Sequence, residues 1–145
     1  METKFATISE ENLQVFLKAF YDAVQKDDLL GPIFTQRIGT TEEDWAPHME
    51  RVNLFWSSVL LGKGTYKGKM VPIHNQIPDL DTVHFKRWME IFMATIKDYY
   101  ETSPSLDLMI KAQTMMRTLL QGYKAHTRNK AAKAAAANGC PASST

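Results

Sequence analysis

The stretch SEENLQVFLKAFYDAVQK, residues 9–26, places its large apolar side chains at intervals of three and four residues. This spacing is typical of one face of an α-helix, with Ser9 as a candidate N-cap and Asn12 where a capping acid usually stands. Tyr21 lies towards the end of this apolar face, where a buried hydroxyl would need a hydrogen-bond partner. A Gly-Pro pair at residues 31–32 then interrupts helical backbone.

Later segments repeat this helical spacing. A second helix starts near TTEEDWAP, residues 40–47, where Thr40 and Glu43 form a candidate capping box. Pro47 is compatible with this helix if it lies in the first turn. The sequence contains no sustained alternation of apolar and polar residues and no Asn-Gly or Asp-Gly turn, so strands are not expected. The pattern therefore predicts an all-α protein.

The C-terminal half of the chain predicts two more helices and a tail. The third helix runs from about residue 81 to residue 100, and the fourth follows Pro104. Beyond residue 128 the sequence is rich in Ala and Ser and has too little bulk to form a core. We therefore expect one domain over residues 1–128 and a disordered tail over residues 129–145. The predicted apolar face of the fourth helix consists of Leu106, Met109, Ile110, Leu119, Leu120 and Tyr123.

Composition and charge exclude several classes of function. A chain of 145 residues with a formal net charge of +1 is one domain without the basic surplus that nucleic acid binding needs. The single cysteine, Cys140, cannot form an intrachain disulfide, which is compatible with a reducing compartment. The sequence has neither an apolar signal core nor a run of about 18 apolar residues. We therefore expect a soluble, cytoplasmic monomer without a membrane partner.

The connection between the second and third helices is the unusual segment. It runs from Gly62 to Pro78 and is longer than most connections between helices, which often indicates function. Its first part, GKGTYKGK, is predicted to be mobile and exposed. Its second part, MVPIHNQIP at residues 70–78, places His74 between Pro72 and Pro78. Taken alone, His74 is also consistent with an ordinary surface histidine.

The chemistry of these residues favours haem over other sites. GKGTYKGK lacks the spacing of a phosphate-binding loop, no G-x-S-x-G occurs, and the four histidines lack the intervals of a zinc site. Haem iron, in contrast, needs one imidazole from the protein, because the porphyrin supplies the other four nitrogens. A haem pocket also needs hydrogen-bond donors on the opposite side. Tyr21, His48 and Trp88 are candidates, since each lies on an otherwise apolar helical face.

The chain resembles a truncated haemoglobin, specifically the third group of that family, over about residues 5–125. The resemblance rests on FYDAV, GPIF, DWAPHMERVNLFW, HNQIP and FKRWMEIF, which occur in this order and at these separations. The lack of any Gly-Gly pair is also similar to this group. The resemblance implies an all-α, truncated globin fold in which two crossed helix pairs hold haem b (iron protoporphyrin IX) between them. A segment that is mostly loop would precede a short proximal helix.

The resemblance also implies a role for each matching polar residue. His74 would be the proximal ligand of the haem iron. Tyr21, His48 and Trp88 would surround the bound gas on the distal side and stabilise it. Phe34 would stack on the porphyrin.

Further residues would hold the porphyrin, again as the resemblance implies. Arg51 would pair with a haem propionate, with Lys69 as a second candidate. The apolar cage around the haem would consist of Val52, Phe55, Trp56, Ile73, Ile77, Phe85, Trp88 and Phe92.

The implied function is tight binding of dioxygen and of other diatomic ligands such as NO and CO. Each donor that faces a bound gas slows its release, which suits redox chemistry of oxygen, nitric oxide or peroxide better than bulk transport. Such NO dioxygenase- or peroxidase-like activity would need an external reductase, because the sequence has no flavin or nicotinamide motif. Two alternatives remain open: a haem-free helical protein-interaction module, and a haem-based gas sensor.

Overall fold

The computed structural model describes residues 3–62, 74 and 80–137. The N-terminal segment pairs with the chain near Tyr100 through a single parallel bridge, in which the Phe5 N–H donates to the Tyr99 carbonyl at 2.8 Å. All other regular structure in these residues is helical, which confirms the all-α prediction. The helices are α1 (Glu10–Lys26), α2 (Gly31–Ile38), α3 (Glu42–Leu61), α4 (Thr82–Tyr99) and α5 (Thr102–Ala137).

The predicted cap of α1 is confirmed. The Asn12 N–H donates to Ser9 Oγ at 3.1 Å, and the Ser9 N–H donates to Asn12 Oδ1 at 3.0 Å. Asn12 Oδ1 also accepts the hydroxyl of Tyr100 at 2.7 Å. The capping residue of α1 is therefore tied to the chain segment that joins α4 to α5.

The predicted cap of α3 is wrong by one residue. Thr41, and not Thr40, is the N-cap, and its Oγ1 accepts the Asp44 N–H at 3.0 Å. Asp44 replaces Glu43 in the capping box, because its short carboxylate accepts the N–H groups of both Thr40 and Thr41 at 3.3 Å. Two amides at the helix start are thereby satisfied by one side chain.

The expectation that Pro47 lies in the first turn is also wrong. α3 begins at Glu42, so Pro47 is its sixth residue and lies inside the helix. A proline there removes the hydrogen bond that would reach the Glu43 carbonyl. Because Glu43 is exposed, water can satisfy that carbonyl, and the helix continues to Leu61.

The helices form two pairs, α1 with α3 and α4 with α5. α1 also contacts α2 and α4, and α3 also contacts α5, so α1 lies at the centre of the fold. The core between them is aromatic. Phe16, Phe20 and Phe92 are completely buried, with ring centroids 5.2 Å apart for Phe16 and Phe92 and 5.0 Å apart for Phe20 and Phe92. Each such side chain stabilises the fold by roughly 1.5–3 kcal/mol through removal from water.

The predicted inward face of α5 is only partly correct. Leu106 and Ile110 are 51% and 58% exposed, whereas the neighbouring Leu108 and Ala112 are completely buried. α5 carries apolar residues on two sides, so spacing alone does not identify the inward side. Contact with α3 and α4 decides it, and the buried residues of this helix are Pro104, Ser105, Leu108, Ala112, Met116 and Leu119.

α5 continues beyond residue 128 as far as Ala137, so the first part of the Ala-rich segment is helical and mostly exposed. Alanine has the highest intrinsic helix propensity, which accounts for this extension. The division into a domain over residues 1–128 and a tail stays a prediction. Cys140 and most of GKGTYKGK, including Lys69, lie outside the described residues. Within the described ranges, no helix is both long enough and apolar enough to cross a membrane.

Candidate functional site

A cavity of about 540 Å³ lies among the helices, and each of the five contributes to its walls. This volume is within the range of small-molecule and cofactor pockets. Ten of the residues that the sequence singled out lie on its walls. They are Tyr21, Phe34, His48, Arg51, Val52, Phe55, Trp56, His74, Phe85 and Trp88.

Tyr21 lies on α1 and turns its buried ring towards α3. Its ring centroid is 5.1 Å from the imidazole of His48, and the two rings are nearly perpendicular. Burial raises the pKa of the Tyr21 hydroxyl well above its usual value, and the Trp88 indole N–H that faces it partly offsets this effect. Tyr21 is therefore a neutral phenol at every physiological pH and can act as a hydrogen-bond donor.

His48 lies on α3 and carries a buried polar atom without a partner. Its Nε2 makes no hydrogen bond within the described residues. Burial lowers the pKa of His48 to about 4, and the charge of Arg51 and the proximity of His74 act in the same direction. The imidazole is therefore neutral at pH 7 and has one N–H to donate. A buried polar atom left unpaired at a cavity wall is costly unless a ligand pairs with it.

His74 lies on the wall of the same cavity, in helical backbone and half-buried. It is close enough to His48 to influence the pKa of that imidazole. The single histidine that the sequence placed between two prolines is therefore brought to the cavity that also contains the three candidate donors. The flanking Ile73 and Ile77, and Lys69, lie outside the described residues, so their predicted contacts stay predictions.

The sequence and the fold are similar to those of a known globin. The group 3 truncated hemoglobin ctb of Campylobacter jejuni subsp. jejuni serotype O:2 is 32% identical over 126 residues, which span 85% of this chain and 99% of that protein. The crystal structure of group III truncated hemoglobin from Campylobacter jejuni gives a TM-score of 0.78 at 31% identity, over 82% of this chain and 94% of that one. No protein-family model matches. The chain belongs to the group III truncated haemoglobins.

The cavity of this truncated haemoglobin fits a haem. Truncated haemoglobins bind haem, and the walls here are largely apolar, with one half-buried histidine and an unpaired buried nitrogen on His48. In the part of the chain that the structure describes, no three His, Cys, Asp or Glu side chains come together as they would around a bare metal ion. An iron porphyrin needs only one such side chain.

Trp88 lines the cavity, and aromatic residues of the globin core fix its indole ring. Its indole stacks on Phe92 at 4.7 Å, and Phe92 stacks in turn on Trp56 at 5.2 Å. Phe20 contacts the indole edge-to-face at 4.9 Å. Phe92 is completely buried between the two tryptophans and is not among the described residues that line the cavity, so its predicted contact with the porphyrin stays a prediction. Its contribution is to fix the position of the two rings that do line the wall.

Trp45 is a residue of this site that sequence reasoning missed. Its ring centroid lies 5.2 Å from His48, 5.8 Å from Tyr21 and 6.1 Å from Phe34, on which it stacks. Its Nε1–H donates to the Gly39 carbonyl at 2.9 Å. Trp45 precedes His48 by three residues on α3, so helical spacing could have indicated that the two share a face.

The part of the wall near α5 was also missed. α5 contributes Met115, Met116 and Leu119, and the segment before α4 contributes Leu80. The hydroxyl of Tyr123 donates to the Leu80 carbonyl, which ties this segment to α5. The predicted apolar face of α5 contained Leu119 but neither Met115 nor Met116, and the sequence assigned none of the three to the cavity.

Charged side chains lie on the exposed part of the wall. Arg51, which the sequence indicated, and Arg37, which it did not, both line the cavity and are exposed. Asp44 is the carboxylate of this wall, but the Thr40 and Thr41 amides occupy it at the start of α3. The opening of the cavity therefore favours an anionic group over a cationic one.

Proposed function

We propose that this truncated haemoglobin binds haem b, retains dioxygen and other diatomic ligands such as NO and CO tightly, and performs redox chemistry on them rather than bulk transport. When bound, haem supplies an iron centre that coordinates diatomic gases. The observation that carries the proposal is that His48, with its unpaired buried nitrogen, and His74 line one cavity together with Tyr21 and Trp88. The membership of the chain in the group III truncated haemoglobins supports it.

His74 is the proposed axial ligand. A histidine can ligate iron when its imidazole is neutral and its ring is held in one orientation. Pro72 and Pro78 flank His74 in the sequence, and each restricts its own backbone φ angle, which favours one orientation. Phe34, Val52 and Phe85 supply apolar surface around the porphyrin from three different helices. Arg51 is exposed at the cavity, where its guanidinium can pair with a propionate.

Tyr21, His48 and Trp88 are the proposed donors to the bound gas. The phenol and the indole are buried, and the imidazole is neutral at pH 7, so each can donate one hydrogen bond without a charged side chain in the cavity. A hydrogen bond to a partly charged acceptor contributes roughly 1.5–3 kcal/mol. Two such bonds would slow gas release by about two to four orders of magnitude, which is unfavourable for a carrier.

Slow release favours a reaction at the site. The proposed reactions are oxidation of nitric oxide to nitrate by dioxygen, which consumes one electron, and peroxidase-like reduction of peroxide. In both, an external reductase supplies the electrons. We propose that the protein acts as a cytoplasmic monomer, since its single cysteine suits a reducing compartment.

Absorption spectra of the ferric, ferrous and CO-bound protein test haem binding. We expect a strong Soret band for the wild type and loss of most of it, with loss of CO affinity, for His74→Ala. His126→Ala is the matched control, because His126 is exposed on α5 and does not line the cavity. A colourless wild type would favour a haem-free interaction module, and an unchanged spectrum of His74→Ala would contradict the axial assignment.

Stopped-flow release of oxygen tests the donors. We expect Tyr21→Phe and Trp88→Phe each to speed release about 10- to 100-fold, because each removes one hydrogen bond from the gas site. Tyr99→Phe is the control, since the Tyr99 hydroxyl does not line the cavity. If neither cavity variant releases oxygen faster than Tyr99→Phe, the distal assignment is wrong.

A further inference from the structure

A hydrogen bond at the start of α4 determines the tautomer of the His84 imidazole. The Asp81 N–H donates to His84 Nδ1 at 2.9 Å, and the Asp81 carboxylate accepts the Thr82 N–H at 2.6 Å. A ring nitrogen that accepts a hydrogen bond cannot carry a proton, so the proton of the neutral imidazole is on Nε2. His84 thus caps the helix with one nitrogen and keeps a donor on the other.

The remaining donor of His84 has no hydrogen-bond partner among residues 3–62, 74 and 80–137. The imidazole is half-buried and lines the same cavity as His48 and His74. No described residue accepts a hydrogen bond from its Nε2. Asp44 Oδ2 already accepts two backbone amides, and the other charged side chains among the described lining residues are those of Arg37 and Arg51. The donors here therefore lack an acceptor, and an anionic group of the ligand would provide one.

Tyr123 on α5 contacts the chain both before and after His84. Tyr123 donates its hydroxyl to the Leu80 carbonyl, and its ring centroid lies 5.5 Å from that of Phe85. α5 therefore holds both the segment that leads into α4 and its first turn. A donor on such a supported turn is presented to the cavity in one orientation.

We propose that His84 Nε2–H donates a hydrogen bond to a carboxylate of the bound porphyrin and so slows the loss of haem. This inference rests on the proposed haem binding and adds a residue that sequence reasoning did not select. Because this hydrogen bond would go to the carboxylate and not to the gas, His84 would affect the rate of haem loss and not the rate of gas release. A charge-assisted hydrogen bond of this kind corresponds to a roughly 10-fold or larger change in the rate of haem loss.

Two substitutions separate the hydrogen bond from the helix cap. Glutamate at this position retains an acceptor for the Asp81 amide but has no donor and repels a carboxylate. Glutamine retains an acceptor for the same amide and also has a donor. His84→Glu therefore removes the proposed contact while it keeps the cap, and His84→Gln keeps both. His126→Ala, on the exposed surface of α5, is the control for loss of a histidine.

The measurement is the rate of haem transfer to excess apomyoglobin, followed in the Soret band, for iron protoporphyrin IX and for its dimethyl ester. We expect His84→Glu to lose iron protoporphyrin IX at least about 10-fold faster than the wild type, and His84→Gln to remain within about threefold. With the dimethyl ester, which has no carboxylate, the wild type and His84→Glu should lose the porphyrin at similar rates.

Two results would overturn the inference while haem binding stands. One is an unchanged rate for His84→Glu with iron protoporphyrin IX. The other is equal acceleration with the dimethyl ester, which would assign His84 to the helix cap alone. A wild type that takes up no haem, and therefore shows no Soret band, would instead overturn both the proposed function and this inference.

Discussion

Two walls of the cavity differ in both chemistry and support. The donor wall consists of Tyr21, His48 and Trp88 on α1, α3 and α4, and the aliphatic wall consists of Leu80, Met115, Met116 and Leu119, mostly on α5. The rings of the donor wall are fixed by stacked and edge-to-face contacts of about 5 Å. The aliphatic wall has none of these ring contacts and is rich in methionine, which adapts to irregular shapes.

The difference indicates a division of labour between the walls. A hydrogen bond to a small ligand depends on the position of the donor within a few tenths of an ångström, which rigid aromatic packing provides. A flat apolar ligand face needs only contact area, which thioether and aliphatic groups provide at many side-chain conformations. Substitutions behind the donor wall should therefore be more harmful than substitutions in the aliphatic wall.

The largest effect is expected at Phe92, which supports the donor wall from behind. Phe92→Ala removes a completely buried ring between Trp56 and Trp88 and should lower the free energy of unfolding by about 3–5 kcal/mol. Urea denaturation measures it, with Leu106→Ala as the control because Leu106 is 51% exposed. Equal, small losses for both variants would contradict the proposed support.

A somewhat smaller effect is expected at Gly39, which accepts the hydrogen bond of Trp45. Its φ is +122°, and an added Cβ would lie 2.3 Å from Asp44 Oδ2. We expect Gly39→Ala to cost about 2–3 kcal/mol in thermal or urea unfolding, because backbone strain and steric overlap both apply.

Gly62→Ala is the matched control for Gly39→Ala. Gly62 also has a positive φ, +68°, but an added Cβ would meet no atom within 4 Å. Its cost should therefore be about 1 kcal/mol, from backbone conformation alone. If the two variants lose equal stability, contact with Asp44 does not matter and the Gly39 turn is not a support of the donor wall.

Acid should weaken the link between the end of α1 and Arg87 on α4 at Asp27, whose side chain is 6% exposed. Burial alone would raise the pKa of Asp27, but hydrogen bonds from the Leu30 and Leu29 amides and from Arg87 hold it below its usual value. A carboxylate with a lowered pKa stabilises the fold above its unfolded pKa of about 4, and this contribution is lost as the pH falls below that value.

The measurement is the free energy of unfolding between pH 7 and pH 2. Asp27→Asn should lower the free energy of unfolding by about 1–2 kcal/mol at pH 7, because half-exposed Arg87 and two amides lose a charged partner. The free energy of unfolding of this variant should also fall less between pH 7 and pH 2 than that of the wild type. Asp22→Asn, in an exposed pair with Lys18, is the control. Identical pH profiles for the wild type and Asp27→Asn would exclude this contribution.

The smallest effect is expected in the aliphatic wall. Met116→Leu conserves volume and polarity, so it should change stability by less than about 1.5 kcal/mol. Oxygen release should remain within about threefold of the wild type, because no donor is removed. Acceleration as large as that of Tyr21→Phe would mean that both walls position the gas, and the division between them would fail.

Much of the fold could be predicted from short-range sequence patterns. The apolar spacing of α1 and its Ser9–Asn12 cap are interactions within a few residues, so they were predicted correctly. The cap of α3 was misplaced by one residue, because Asp44 and Glu43 both suit a capping box and only the turn at Gly39 selects Asp44. Errors of this kind arise where two local solutions have similar energies.

The inward side of α5 could not be predicted in the same way. Leu106 and Ile110 are as apolar as Leu108 and Ala112, and spacing alone supports either set. Burial depends on which side meets α3 and α4, which are distant in sequence. The same reason explains why Met115 and Met116 were missed as parts of the cavity wall.

The sequence by itself predicted four of the five described helices, the caps of two of them to within one residue, and a set of candidate polar side chains for a haem site, because these depend on local spacing and on residue chemistry. It missed α2, because Gly31 and Pro32, which interrupt a helix, here begin one. Only the tertiary structure decided that Phe92 lies behind the wall, that Trp45 contacts His48, and that His84 lines the cavity. These outcomes depend on contacts between helices far apart in the chain, which no local pattern encodes.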